Sequence, residues 1–251
     1  MQPEGLKSTG RKEYYHYKHT KGKESRMKPY YEHEGIRLFN CDCLPAMKEM
    51  PDNAYDLAIV DPPYGIDDKL YRSDYGKNSG GALAKYSKNR WDVKPNVEYF
   101  NELIRTSKNQ IVWGGNYFTE YLEPNRCWIC WNKDNSAKNF SSIELAWTSF
   151  DLLPNYYYYA WGGLSECIVG RNKKEKSIHP TQKPVALYKW LLTKYAKPGQ
   201  TILDTHLGSG SIAIASDVLG FNLTAFEIDG EYIEGATDRL KRHRAQGVLP
   251  L

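Results

Sequence analysis

No stretch of the 251-residue chain is apolar for long enough to span a bilayer, and none reads as the apolar core of a secretion signal. Membrane and secreted proteins are therefore set aside, and the expected compartment is the cytoplasm. Cysteine is scarce. Five thiols, an odd number without a signal segment, argue for reduced side chains rather than a disulfide framework. Cys127-Trp128-Ile129-Cys130 has redox or zinc spacing, but on a strand its thiols would face opposite ways. Ordinary buried thiols explain it, and the Cys41/Cys43 pair, without a metal, and none is expected. Charge of one sign is not in strong excess either: 34 Lys and Arg against 30 Asp and Glu leave +4. That balance excludes a dedicated nucleic-acid packaging protein and requires any basic surface to act locally. The dinucleotide spacing G-x-G-x-x-G is also missing, since Gly208-Ser209-Gly210 continues with Ser211, Ile212 and Ala213.

Against these absences stands the tetrapeptide Asp61-Pro62-Pro63-Tyr64, directly after the apolar run Tyr55–Val60. An aromatic amine is a poor nucleophile because its lone pair is delocalised into the ring, so alkylating it requires holding and polarising the nitrogen. Asp61 can accept one N–H and the carbonyl of Pro62 the other, because Pro62 and Pro63 stiffen the turn and remove competing donors. Tyr64 can stack on a base.

A second constellation lies near the other end. Thr201-Ile202-Leu203-Asp204 is a short strand pattern leading through Thr205, His206 and Leu207 into Gly208-Ser209-Gly210, and Ser211–Leu219 continues as a helix. Glycines there allow positive φ and close approach of a ligand to the backbone. Asn222–Glu227 is another strand pattern ending in an acid that can accept both hydroxyls of a ribose.

Strands are predicted at 36–40, 56–60, 110–113, 127–131, 143–148, 201–204 and 222–227, with helices at 44–50, 97–106, 184–196, 211–219 and 232–242. In the third helix Val185, Tyr188, Leu191, Leu192 and Tyr195 recur at helical spacing and mark a core face. The alternation argues for a doubly wound, Rossmann-like α/β fold with a mixed seven-stranded sheet. Its ligands would sit at the carboxyl ends of the strands, beside Asp61 and Asp204.

Together these pieces resemble the circularly permuted beta group of amino-methylating DNA methyltransferases, in which the catalytic tetrapeptide precedes the cofactor turn. The resemblance runs from about Gly35 to Leu240. It includes Gly35–Leu44 as an opening strand and acidic turn, the blocks Ile111–Asn116, Trp128–Lys133 and Glu144–Trp147, and His179-Pro180-Thr181-Gln182-Lys183-Pro184. It departs where the family has proline and an aromatic after Asp204, for this chain has Thr205 and His206. A lone histidine in such a turn reads as capping or packing.

The resemblance implies transfer from S-adenosylmethionine to N6 of an adenine flipped out of double-stranded DNA, with Asp61, Pro62, Pro63 and Tyr64 as catalytic residues. It further implies that Gly208, Ser209 and Gly210 line the cofactor's methionine end, that Glu227 holds its ribose, and that Asp204 and Cys43 are among the cofactor-binding residues. Asp42 would meet its adenine, Thr181 and Lys183 its carboxylate, and Asp61 its amino group. A cytosine-N4 enzyme would share the fold, though its tetrapeptide usually begins with Ser. An RNA or free-base methylase could also be built on it, as could a silent nucleic-acid-binding subunit. A homodimer and a cognate restriction enzyme are compatible with the family, and no segment identifies an interface.

Three stretches lie outside the sheet pattern. Residues 1–29 are a basic tail, either a solvated terminus or an arm on the DNA backbone, and 30–251 form the methyltransferase domain. Inserts fall at about 66–95, with Tyr71 and Arg72, and at about 150–178. In the latter, Tyr156–Tyr159 can pave a sheet edge or stack on bases. Arg171, Lys173, Lys174 and Lys176 can neutralise phosphates.

Overall fold

The computed structural model describes residues 27–66, 92–134, 141–160, 178–179 and 181–246. Its strands are β1 (Tyr31–His33), β2 (Ile36–Phe39), β3 (Tyr55–Val60), β4 (Ser107–Trp113), β5 (Trp128–Asn132), β6 (Ile143–Thr148), β7 (Asn155–Tyr158), β8 (Thr201–Asp204) and β9 (Asn222–Phe226). The helices are α1 (Cys43–Lys48), α2 (Val97–Thr106), α3 (Val185–Tyr195), α4 (Ser211–Leu219) and α5 (Gly230–Ala245).

The nine strands form one sheet in the order β1-β2-β9-β8-β3-β4-β6-β5-β7. The seven expected strands are its contiguous centre, and among the described residues the count is corrected to nine by one short strand at each edge. β1 has only three residues, Tyr-Glu-His, with no apolar alternation to announce it. β7 lies inside the tyrosine run, whose sheet-edge reading is the one the fold adopts. Strands β2, β9, β8, β3 and β4 are parallel, whereas β6 runs antiparallel to both β4 and β5.

Alternation along each central strand feeds two cores. Leu57 and Ile59 of β3 point to the face covered by α3, α4 and α5, where Leu187, Leu191, Ile212 and Ile233 are buried. Ala58 and Val60 point to the opposite face, against Met47 of α1 and Tyr99, Phe100 and Leu103 of α2. Such two-sided burial explains why the parallel strands read as near-continuous apolar runs. Helix α2 begins where the sequence places it because Asn96 caps the Tyr99 amide at 3.2 Å.

From β3 the chain moves outward to β4, and from β8 it moves the other way to β9. The boundary between β3 and β8 is the switch point of a doubly wound sheet, the place where such folds bind their ligands. Asp61 and Asp204 stand at the carboxyl ends of these two neighbouring strands.

Candidate active site

The tetrapeptide leaves β3 with both oxygens of Asp61 engaged. Oδ1 accepts the Tyr64 hydroxyl at 2.7 Å, and Oδ2 accepts the ammonium of Lys183. The Tyr64 ring stacks on Tyr117, with centroids 4.9 Å apart and planes inclined by 18°, and meets Phe118 edge-on at 6.1 Å. Gly114 makes this packing attainable. Its φ is +66°, and a Cβ there would lie 2.2 Å from Cε1 of Tyr64. Immediately beyond, the amides of Gly65 and Ile66 donate to the carboxylate of Asp92 at 2.9 and 2.6 Å. The insert thus leaves and rejoins the fold at one point beside the tetrapeptide.

Lys183 is 4% exposed. Its Nζ lies 3.4 Å from Glu144 Oε2 and 5.3 Å from the centre of the Trp113 ring, besides its bond to Asp61. Burial pulls the ammonium down, but the two carboxylates outweigh it and hold Lys183 above the ordinary lysine value. Thr181, by contrast, is exposed, and its amide and hydroxyl engage Nδ1 of His179 at 3.3 and 3.1 Å.

The second half of the site is built on Glu227. Its Oε2 accepts the Gly208 amide at 2.8 Å and its Oε1 the Asp229 amide at 2.9 Å, so one carboxylate ties the glycine turn to the start of α5. Burial raises its carboxyl above the usual range, against these hydrogen bonds. Gly210 has φ +74°, and a Cβ would come within 2.8 Å of Ala236 Cβ, so the third residue of Gly208-Ser209-Gly210 brings α4 against α5. The turn is also locked from two sides. Arg239 donates to the Ser209 carbonyl at 2.9 Å, and the Ser211 hydroxyl donates to the Lys183 carbonyl at 2.7 Å. Asp42 caps α1 through Oδ1 and the Leu44 amide at 2.9 Å, and Cys43 beside it is buried, its thiol pushed up by burial.

Asp204 accepts the His206 amide at 3.0 Å, and burial pushes its carboxyl up to about 8. An acid raised in this way favours the folded chain while protonated, so its effect on stability worsens as pH rises from about 4, the unfolded value, towards 8. Asp204→Asn keeps an acceptor for the His206 amide and removes the titration. The melting temperature of the variant minus that of the parent should therefore be larger at pH 8 than at pH 5. Equal differences would mean that Asp204 does not titrate in this range.

Thr205 and His206, the departures from the family pattern, pack against α2. The Thr205 hydroxyl is 2.6 Å from the Tyr99 hydroxyl and 2.9 Å from His206 Nδ1, and the His206 ring meets Tyr99 edge-on at 5.4 Å. Burial pulls His206 down to about 4, which keeps the imidazole neutral. Its expected packing role matches these contacts.

Four residues beside the site carry no role that the sequence assigns. Glu144 is a carboxylate within a strand, a local signal that marks it for a partner. Tyr117 and Ser211 lie next to assigned residues, and nothing local to Arg239 on α5 signals the site. Tyr71, Arg72, Arg171, Lys173, Lys174 and Lys176, with residues 1–26, lie outside the described residues. Among the described residues no helix is long and apolar enough to cross a membrane, and no group of three or more His, Cys, Asp or Glu could hold a metal.

A carboxylate acceptor at one strand end, with a glycine turn and a second acid at the neighbouring ones, fits a methyltransferase of the Rossmann-like class. The DNA methylase family of N6/N4 type matches residues 85–238, more than half of the chain, and the chain belongs to it. The Type II methyltransferase M2.DpnII of Streptococcus pneumoniae is 28% identical over 254 residues, covering 85% of this chain and 92% of that protein. M2.MboI of Moraxella bovis is 27% identical over 269 residues, covering 90% and 94%. The M1.HpyAVI–SAM complex superposes with a TM-score of 0.52 at 18% identity, over 82% of this chain and all of that one. The cytosine-N4-specific PvuII DNA methyltransferase reaches 0.58 at 11% identity, over 87% and 94%. At these identities the two structures establish the fold. The chain is an S-adenosylmethionine-dependent DNA methyltransferase of the circularly permuted amino-methylating group.

Proposed function

We propose that the enzyme methylates N6 of adenine flipped out of double-stranded DNA. The observation that carries this reading is the carboxylate of Asp61 at the end of β3, within the stiff turn that also places Tyr64. The target amine in a duplex is paired and stacked, so the base must leave the helix to reach it. Asp61 accepts one amine N–H, the Pro62 carbonyl accepts the other, and Pro63 keeps the turn rigid. Tyr64 offers the base a ring, and its parallel contact with Tyr117 is the kind of stacking a purine needs.

The donor set suits S-adenosylmethionine. Its sulfonium and ammonium are cations, and Asp61, Asp204 and Glu227 put three carboxyl groups at adjacent strand ends. Glu227, oriented by two backbone amides, has lone pairs left for both ribose hydroxyls, while Gly208, Ser209 and Gly210 line the methionine end. Asp42 and Cys43 border the adenine, and Thr181 and Lys183 the carboxylate. The cofactor, when bound, supplies an electrophilic methyl group on a good leaving group. The residues of this chain orient the amine and exclude water, and positioning of that kind supplies much of the rate.

Asp61 favours adenine over cytosine, since the cytosine enzymes of this group mostly carry Ser there. The test is mass analysis of nucleosides after incubation with S-adenosylmethionine and mixed-sequence DNA. N6-methyladenine is expected; N4-methylcytosine would overturn the base assignment, and no methylated base would favour a silent subunit.

Tyr71, Arg72, Arg171, Lys173, Lys174 and Lys176 are proposed to meet the DNA. Replacing the four basic residues of 171–176 together with alanine should lower the salt slope of DNA binding by about 0.9 for each lost phosphate contact. An identical slope would make the run a solvated surface. The same reading places the chain in the cytoplasm as the methylating half of a Type II restriction–modification pair, as the relatives' Type II names support. A restriction enzyme blocked by this methylation is the corresponding partner, and a homodimer is one arrangement open to it, which sedimentation would test.

A further inference from the structure

We propose that Glu144 is a positioning residue for methyl transfer, acting through Lys183 to set the carboxylate of Asp61 where the target amine meets it. The inference rests on the reading that Asp61 accepts that amine. Three strands and the segment before α3 bring the groups together. Asp61 follows β3, Glu144 lies on β6, Lys133 follows β5, and Lys183 precedes α3. Lys133 Nζ sits 2.7 Å from Glu144 Oε1, Lys183 Nζ sits 3.4 Å from Glu144 Oε2, and Lys183 donates to Asp61. The four charges alternate in sign and sum to zero.

A buried ion pair is favourable only when each charge stays compensated, and removing one partner leaves an expensive orphan. Lys183 is almost completely buried, so its charge has to be balanced by protein. Its hydrogen bond goes to Asp61, whereas Glu144 approaches Nζ at 3.4 Å, an electrostatic contact in which Oε2 has no hydrogen-bond partner among the described residues. Lys183 is thus shared. If Glu144 were neutral, the whole ammonium charge would fall on Asp61, and the acceptor would be drawn towards lysine and away from an incoming amine. Among the described residues Glu144 is linked to Asp61 through Lys183, so its effect on the acceptor runs through that ammonium.

The other groups around Lys183 do not replace it. Trp113 presents its ring, Asp204 is an acid raised by burial, and His179 is pulled down to about 4 and so is neutral. Tyr64 and Tyr188 are phenols raised well above their usual value by burial. Burial holds Glu144 up while Lys183 and Lys133 bring it down, and the lysines win, so it is ionised at neutral pH. Taking its charge away must lower the pH at which buried Lys183 loses its proton.

The experiment uses the full chain with unmethylated genomic DNA and methyl-labelled S-adenosylmethionine. Glu144→Gln should slow transfer by about tenfold or more while changing the cofactor KM by less than about threefold, the pattern of a lost transition-state contribution. The alkaline limb of the rate profile should move to lower pH. In Glu144→Asp, which retains the charge, the limb should stay in place, and this variant is decisive should the glutamine variant not fold. In a Lys183→Met background, Glu144→Gln should cost less than about a further twofold, because residues acting through one another are not additive. A parental rate and pH limb in Glu144→Gln, a displaced limb in Glu144→Asp, or the full loss repeated in the Lys183→Met background would overturn the inference. If Asp61→Asn is inactive in parallel, the failure belongs to Glu144 alone. An active Asp61→Asn would remove the reading on which both stand.

Discussion

Asp61→Asn is expected to lower methyl transfer by at least about 10²–10³-fold, the cost of losing one preorganised electrostatic partner at a reacting centre. Asparagine is nearly isosteric and can still accept from Tyr64, so the loss should come from charge rather than collapse of the turn. Alanine is the harsher change. It would leave Lys183 with Glu144 at 3.4 Å as its remaining partner and destabilise the chain by about 3–5 kcal/mol, as breaking a buried pair does. Cofactor affinity should fall only moderately in either variant. Single-turnover transfer measured beside cofactor binding separates the two quantities, and near-normal turnover would sink the role of Asp61.

Glu227→Ala should act on cofactor binding instead. Two hydrogen bonds from ribose to a charged acceptor are worth about 1.5–3 kcal/mol each, so the cofactor Kd should rise about tenfold to a hundredfold for each bond. Alanine also strands the amides of Gly208 and Asp229, which the carboxylate now accepts at 2.8 and 2.9 Å. The melting temperature should therefore drop as well, and Glu227→Gln, which keeps one acceptor oxygen, should lose affinity with a smaller drop. Calorimetric titration with S-adenosylmethionine reads the result. An unchanged Kd in both variants would remove Glu227 from the site.

The central strands were legible because burial on both faces demands continuous apolar runs, as in Leu57–Val60, and each run is closed by a polar residue or a glycine. Helix α2 was legible to the residue, for its apolar face and capping Asn96 are both local signals. The edges were not. A sheet's outermost strand needs apolar residues on one face at most, and β1 and β7 carry tyrosines and polar residues that suit a surface equally well. Thr205 and His206 could be read only as a departure, because the Tyr99 ring and hydroxyl that receive them come from α2, which precedes them by about a hundred residues.

By itself the sequence determined the alternation of strands and helices, the stiff acidic turn after β3, and the glycine turn and acid after β8 and β9. These depend on residue type and on neighbours within a few positions, where sterics and hydrogen-bonding capacity act directly. The switch point between β3 and β8, and with it the adjacency of Asp61 and Asp204, was decided only by strand order. The partner of Lys183 was decided there too. From the sequence it is a lone cation in need of some anion, and folding brings it to Asp61, 122 residues earlier, and to Glu144. A buried ammonium must be compensated by whatever carboxylates surround it, and those surroundings exist only once the sheet has assembled.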